Sequence, residues 1–339
     1  MTSHFQRKLG ARYYLVAIIS ILVNISCHKA LANDKIKVGA MLPLSGPLAS
    51  FGQTLLEGIR AANLDRIELV VEDDECVPAK SVKAFKNLTE VHKSSFILGP
   101  VCGSPQHSIA PLLKNTQVVS MLLGSGAENL FTISGKRVFS PQYSNDAEAT
   151  YNATFMNKLG ISRAALIFYE DIFCLTHEKA FRRSFKGDIA AVLTYNTLDP
   201  INIKPLVTKL RQLKVNGIYA PDVSPFLLGL RKEMSNAGLS HIPVISIYSA
   251  QTKDLLNAEG SHANGLLYSY PKVSGDDAVG YFAKLGSRIF FESIRECNGD
   301  SACVQNSLLT SKGFTGEGLL SGEIETRIIR DGRFEAYAQ

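Results

Sequence analysis

Short apolar runs alternate with amphipathic stretches along most of the chain. Residues 36–42 (Ile-Lys-Val-Gly-Ala-Met-Leu) read as a buried strand, and after the turn Pro43-Leu44-Ser45-Gly46-Pro47 the apolar positions take helical spacing over about 50–64. The alternation continues with strand 67–71 before helix 78–90, strand 96–98 before helix 105–113, and strand 118–123 before a Gly-Ser-Gly loop. Residues 138–141 (Val-Phe-Ser-Pro) read as a crossing point, because a second series follows. It comprises helix 146–159, strand 164–168, helix 178–185, strand 190–195, helix 203–213, strand 217–220, helix 225–237 and strand 244–248.

Strands alternating with helices predict parallel sheets covered on both faces, since crossovers between parallel strands need helices. Two series of about a hundred residues each fit usual domain sizes as two Rossmann-like, doubly wound α/β lobes better than one barrel. The tail differs: a long helix over 278–297, a short helix, then 323–330 and 333–338 flanking Asp331-Gly332. Asp-Gly between alternating runs predicts a hairpin, which can return to the second lobe. The expected division is 33–141 plus about 270–318 for the N-terminal lobe and 142–269 plus about 319–339 for the C-terminal lobe, joined by a multi-strand hinge.

Basic residues Arg7, Lys8 and Arg12, the apolar run 13–25 and Ala30-Leu31-Ala32 predict a secretory signal peptide over 1–32 and a periplasmic mature chain beginning near Asn33. Cys27 leaves a second processing open, lipidation and membrane anchoring. Removing the signal lowers the formal net charge from +5 by four, to +1. A near-neutral chain without a Lys/Arg cluster lacks the footprint of a nucleic-acid binder.

In an oxidising compartment the remaining cysteines read first as pairs. Cys76 and Cys102 each follow a predicted strand, so both fall at the carboxyl edge of one sheet, where open α/β folds bind ligands, and a disulfide between two cleft loops is expected. Cys297 with Cys303 would close the turn Asn298-Gly299-Asp300 as a helix-hairpin staple, preferred to metal binding because thiolate sites gather further Cys or His ligands. Cys174 is left over. With His177 three residues on, it forms the one arrangement suggestive of nucleophilic catalysis, but a cysteine nucleophile also needs an oriented base, so no enzyme is expected. No metal spacing and no cofactor motif is found; Gly124-Ser125-Gly126 lacks the third glycine of a dinucleotide fingerprint.

Taken together, residues 36–39, 43–52 (Pro-Leu-Ser-Gly-Pro-Leu-Ala-Ser-Phe-Gly), 72–78 (Glu-Asp-Asp-Glu-Cys-Val-Pro), 99–102 (Gly-Pro-Val-Cys) and the ending Cys297 to Cys303 resemble the Leu/Ile/Val-binding type of periplasmic solute-binding protein. The resemblance covers nearly the whole mature chain. It implies a type I periplasmic-binding fold, a small ligand held between two lobes that close over it, delivery to an ABC transporter membrane permease, and a monomer.

It also implies a ligand set. The loop after Cys102, with Gly103 and Ser104, and the loop Gly124, Ser125 and Gly126 would hold a carboxylate. Ser104-Pro105 reads as an N-cap with Pro at the first helical position, whose amides suit an anion, although Ser104 can serve as a cap alone. The glycine loop can equally be a tight turn. Phe51, Phe173, Val223 and Tyr248 fall where the family has aromatic walls and, at Tyr248, an acid for the ligand ammonium. Any of the aromatics can instead be lobe core. Asp222 can supply the missing charge from a shifted position, against the plainer reading of a solvated or helix-start carboxylate. The expected ligand is a small carboxylate with an apolar body: a branched-chain or aromatic amino acid if Asp222 serves, an aromatic or aliphatic acid if it does not. The alternative function is a ligand sensor or envelope lipoprotein regulator of the same fold.

Overall fold

A computed structural model describes residues 35–124, 126, 129–196, 202–252, 255–256, 261–273, 277–310, 314, 318–320 and 322–338. The expected signal peptide, Cys27 and Ser125 lie outside the described residues.

The first sheet contains β1 (Ile36–Leu42), β2 (Ile67–Asp73), β3 (Phe96–Leu98), β4 (Val119–Met121) and β5 (Val138–Phe139), parallel and in the spatial order β2-β1-β3-β4-β5. Its helices are α1 (Ala49–Arg60), α2 (Pro78–Lys86), α3 (Gly103–Leu113) and α4 (Asn129–Ile133). In the second series α5 (Asn145–Lys158), β6 (Arg163–Tyr169), α6 (Ile172–Ser184), β7 (Asp188–Tyr195), α7 (Lys204–Leu213), β8 (Gly217–Tyr219), α8 (Ser224–Asn236), β9 (Val244–Ser246) and β10 (Leu267–Pro271) follow in turn. Then α9 (Ala278–Glu296) and α10 (Ser301–Thr310) pack on the first sheet. The hairpin β11 (Ile324–Arg330) and β12 (Arg333–Ala336) joins the second sheet antiparallel to β10, giving the order β12-β11-β10-β9-β8-β6-β7. The chain thus passes between the sheets after β5, after β10 and after α10.

The fold class is therefore the expected one, mixed α/β with two sheets dominated by parallel strands. β1, β3 and β4 are almost wholly buried apolar runs, as strands covered on both faces must be. Phe290 of α9 meets Phe96 of β3 edge to face at 5.9 Å, closing the core over the first sheet. Gly52 of α1 lets that helix rest on the loop before it: a Cβ there would stand 1.9 Å from the Pro43 carbonyl oxygen.

Two helix starts differ from the pattern. α3 opens at Gly103 with Cys102 as N-cap, so Ser104 lies inside the first turn and is not the cap. Its proline at the third position still costs no hydrogen bond, because first-turn amides have no intrahelical partner. α6 opens at Ile172, six residues before the periodic signal. The Asp171 carboxylate accepts from the Cys174 amide at 3.0 Å and anchors an apolar first turn that has poor helical patterning of its own. The expected helix 78–90 ends as an α-helix at Lys86 and continues as one wider turn, Asn87–Val91.

Both expected disulfides are present. Cys76 and Cys102 have Cα atoms 5.5 Å apart, and Cys297 and Cys303 have theirs 5.6 Å apart. In the second loop Asn298 and Gly299 take positive φ, and Asp300 accepts from the Cys303 amide at 2.7 Å at the start of α10.

Candidate functional site

In each sheet the strand order reverses at one place, between β1 and β3 in the first and between β6 and β8 in the second. Open α/β folds bind ligands outside the carboxyl ends of strands at such points. The carboxyl edges of the two sheets face one cavity of about 320 Å³, near the lower end of the range for small-molecule sites.

One wall comes from the first sheet. Phe51 stands on α1 after β1, the Cys76–Cys102 bridge joins the loops after β2 and β3, Gly103 and Ser104 open α3, and Gly124 follows β4. The opposite wall comes from the second sheet, with Asp171 and Phe173 after β6, Asp222 and Val223 after β8, and Tyr248 after β9. Of the residues the resemblance singled out, Gly126 is the described one that does not line the cavity. It sits behind the wall, where a Cβ would press on Leu122 at 3.0 Å and Leu130 at 3.5 Å.

The walls meet at one close approach. A Cβ on Gly103 would stand 2.7 Å from the Phe173 Cβ and 2.8 Å from its amide nitrogen, so glycine is required there for the two loops to touch. Nearby, the Tyr248 hydroxyl reaches the first wall, 3.6 Å from where a Gly124 Cβ would be. Tyr248 is also packed edge to face on Phe282 at 6.3 Å, so it serves as both cavity wall and core.

The electrostatics of the two walls differ. The first presents the start of an eleven-residue helix, whose unpaired amides and dipole favour an anion. The second presents acids, and among the described residues no Lys, Arg or His lines the cavity. Asp222 is buried, 6% exposed, which excludes the solvated-loop reading. Its Oδ2 accepts from the Tyr195 hydroxyl at 2.7 Å and the Tyr169 amide at 3.3 Å, and its Oδ1 from the Val223 amide at 2.8 Å. Burial pushes its carboxyl up to about 7 despite these donors, and the nearby Asp171 adds to the rise. Asp171 is itself raised by burial.

Sequence reasoning missed Asp171, Tyr169 and Tyr195. Asp171 carried a usable signal, an acid at the end of a strand and ahead of a helix, which is an N-cap pattern. Tyr195 carried none, because its role depends on β7 lying beside β6.

Cys174 and His177 do not form a nucleophile and base. Burial and the nearby carboxylates of Asp171 and Asp222 hold the thiol well above its ordinary value, whereas burial drives His177 down to about 3. The imidazole Nδ1 is engaged with the Tyr219 hydroxyl at 2.8 Å. A thiol that resists ionisation beside a neutral imidazole lacks nucleophilic activation.

A family profile described as "Periplasmic binding protein" matches residues 35–285. The chain belongs to that family. Its members resemble it over most of its length: an amino acid binding protein of Pseudomonas aeruginosa is 24% identical over 69% of this chain, and a Leu/Ile/Val/Thr-binding protein of Salmonella typhimurium is 22% identical over 72%. The matches span 65% and 70% of those relatives' own lengths. Among solved structures, an R. palustris ABC transporter solute-binding protein in complex with 4-hydroxybenzoate superposes with a TM-score of 0.79 at 20% identity, covering 90% of this chain and 96% of the other. A leucine binding protein of Thermotoga maritima does so with a TM-score of 0.81 at 16% identity, covering 89% and 98%. This binding protein thus shares its two-sheet α/β fold with solved type I periplasmic binding proteins. Membership implies an extracytoplasmic location. Among the described residues no helix is long and apolar enough to cross a membrane.

Proposed function

We propose that this binding protein is the solute receptor of an ABC importer, capturing a branched-chain or aromatic amino acid between two lobes that close over it and presenting it to a membrane permease as a monomer. The observation that carries the reading is the opposition of a helix start at Gly103 and Ser104 to the buried Asp222 across a small, largely apolar cavity. A ligand carboxylate suits the amides, an ammonium suits the acid, and Phe51, Phe173, Val223 and Tyr248 enclose an apolar body. Asp222 takes over the charge that Tyr248 cannot supply. Relatives named for leucine, isoleucine, valine and threonine binding support an amino acid, and the neighbour holding 4-hydroxybenzoate supports room for an aromatic body.

The test is calorimetric titration of the protein lacking residues 1–32 with L-leucine, L-isoleucine, L-phenylalanine, benzoate and 4-hydroxybenzoate. Binding of an amino acid that falls sharply in Asp222→Asn supports the reading. Binding of the aromatic acids alone replaces the amino acid by a simple carboxylate, and no response from any of them refutes the proposal.

A further inference from the structure

Tyr248 begins a short 3₁₀ turn, Tyr248–Ala250, whose preceding residue offers no side-chain cap. The Tyr248 amide instead reaches a carboxylate a hundred residues away: Glu148 Oε1 accepts from it at 3.3 Å. The same oxygen accepts from the Ser269 hydroxyl on β10 at 2.7 Å and from the Tyr143 hydroxyl at 3.4 Å. Tyr143 lies on the crossing between the sheets after β5, and β10 leads into the crossing that follows it. Glu148 therefore ties two inter-sheet crossings to the turn that carries one cavity wall.

Glu148 is fully buried and does not line the cavity. Its Oε2 has no hydrogen-bond partner among the described residues. An unpaired buried carboxylate oxygen is costly, so its position needs a reason.

We propose that Glu148 is a positioning residue for the ligand cavity, holding Tyr248 from behind and making the seating of that wall depend on its own protonation. The proposal rests on the cavity being the ligand site. Among the described residues no cation is hydrogen-bonded to Glu148; β11 brings one into the neighbourhood, Arg327, which lies over the Tyr270 ring at 4.0 Å and donates to Gln251 Oε1 at 3.3 Å. The crossing brings Tyr143, the turn Tyr248, β8 Tyr219 and β10 Tyr270, while α6 brings His177, engaged with Tyr219. Burial keeps both Tyr143 and Tyr219 protonated and His177 neutral. The Asp146–Arg183 ion pair sits at the exposed start of α5. Burial alone pushes the Glu148 carboxyl up to about 7, against the three hydrogen bonds that favour its charged form.

Opening of the turn hydrates Glu148 and returns it to an ordinary carboxylate. Opening is then favoured as pH rises from the ordinary value through about 7. Between pH 5.5 and 7.5 this linkage predicts on the order of tenfold more opening.

The experiment is amide hydrogen exchange across residues 244–252 in the ligand-free protein, corrected for intrinsic rates, in wild type, Glu148→Gln and Glu148→Leu. Wild type should lose on the order of tenfold protection in this segment over that pH interval; Glu148→Gln, which cannot ionise, should lose much less, any remainder coming from Asp222, whose backbone carbonyl accepts from the Ser249 hydroxyl of the same turn at 3.0 Å. Glu148→Leu should exchange at least about tenfold faster here, the loss of one charge-assisted acceptor, while residues 36–42 stay protected. It should also weaken binding of whichever of L-leucine, L-phenylalanine or benzoate the wild type binds. A Glu148→Gln profile that tracks wild type overturns the proposal, as does unchanged exchange in Glu148→Leu. Should Glu148→Leu not fold, the Glu148→Gln profile decides. Should none of the three compounds bind, the ligand reading fails while the exchange result still judges Glu148.

Discussion

Replacing Cys76 and Cys102 with serine removes a link between residues 26 apart in sequence. Closing such a loop in the unfolded chain is worth about 3.5 kcal/mol of stability in the loop-entropy picture. Part of this is offset in the native turn, where Glu75 and Cys76 hold positive φ values of 51° and 58°. Relaxing such residues returns roughly 1 kcal/mol each. The relief is incomplete, because Asp73 Oδ1 and Asp74 Oδ1 each accept an amide of that turn at 3.0 Å and keep its shape without the bridge. A net loss of about 2–3 kcal/mol follows, which for a chain of this size lowers Tm by roughly 5 °C. Differential scanning calorimetry of the double serine variant, with Cys297–Cys303 intact, measures it. Cys102 is also the N-cap of α3 and makes no side-chain cap bond, a role serine fills well, so what the change removes at Gly103 and Ser104 is the tether to the loop after β2. Ligand affinity should fall by about tenfold, the scale of one well-placed hydrogen bond. A Tm change under about 1 °C refutes the loop-entropy argument. Unchanged affinity with the bridge demonstrably absent refutes its role in shaping the cavity.

Asp222→Asn keeps the side chain's size but removes its charge, and should cost more than about tenfold in amino-acid affinity while sparing benzoate, measured by calorimetry; equal affinity for L-leucine would rule Asp222 out as the ammonium partner. Gly103→Ala places a methyl group 2.7 Å from the Phe173 Cβ, so the walls must separate. Stopped-flow should then show faster ligand release with a nearly unchanged on-rate, and an unaltered release rate would mean that this contact does not hold the lobes together. Stability should also fall as pH rises from about 4.5 to 7. Glu148 and Asp222 both keep in the folded state protons that the unfolded chain releases, each raised to about 7. For Glu148 alone the loss is roughly 3 kcal/mol, complete once pH exceeds the folded value. Thermal melts at pH 5.5 and 8 should show a smaller difference in Glu148→Gln than in wild type, and equal differences would refute the assignment.

The architecture was legible because it follows from local pattern. Buried runs such as residues 36–42 and 96–98 can be covered on both faces only by intervening helices, and Asp331-Gly332 fixed the returning hairpin. Parallel strands send all their carboxyl ends one way, so residues that follow strands, Cys76, Cys102, Phe173, Asp222 and Tyr248 among them, converge without any tertiary knowledge. What local pattern could not convey is which polar residues are buried. In α5 the buried positions include Asn145, Glu148 and Asn152, so no apolar face marks the helix as a core element. Their partners, Thr176 and Ser269, lie 31 and more than a hundred residues away. In the sequence Glu148 is an ordinary first-turn acid, stabilising by the helix dipole. Only the arrival of Ser269 on β10 and Tyr248 after β9 converts it into a buried node, just as Tyr195 on β7 converts Asp222 from a loop acid into a wall of the cavity. The buried charges in and behind the candidate site are therefore set by long-range pairing, while the frame that holds them is set by local periodicity.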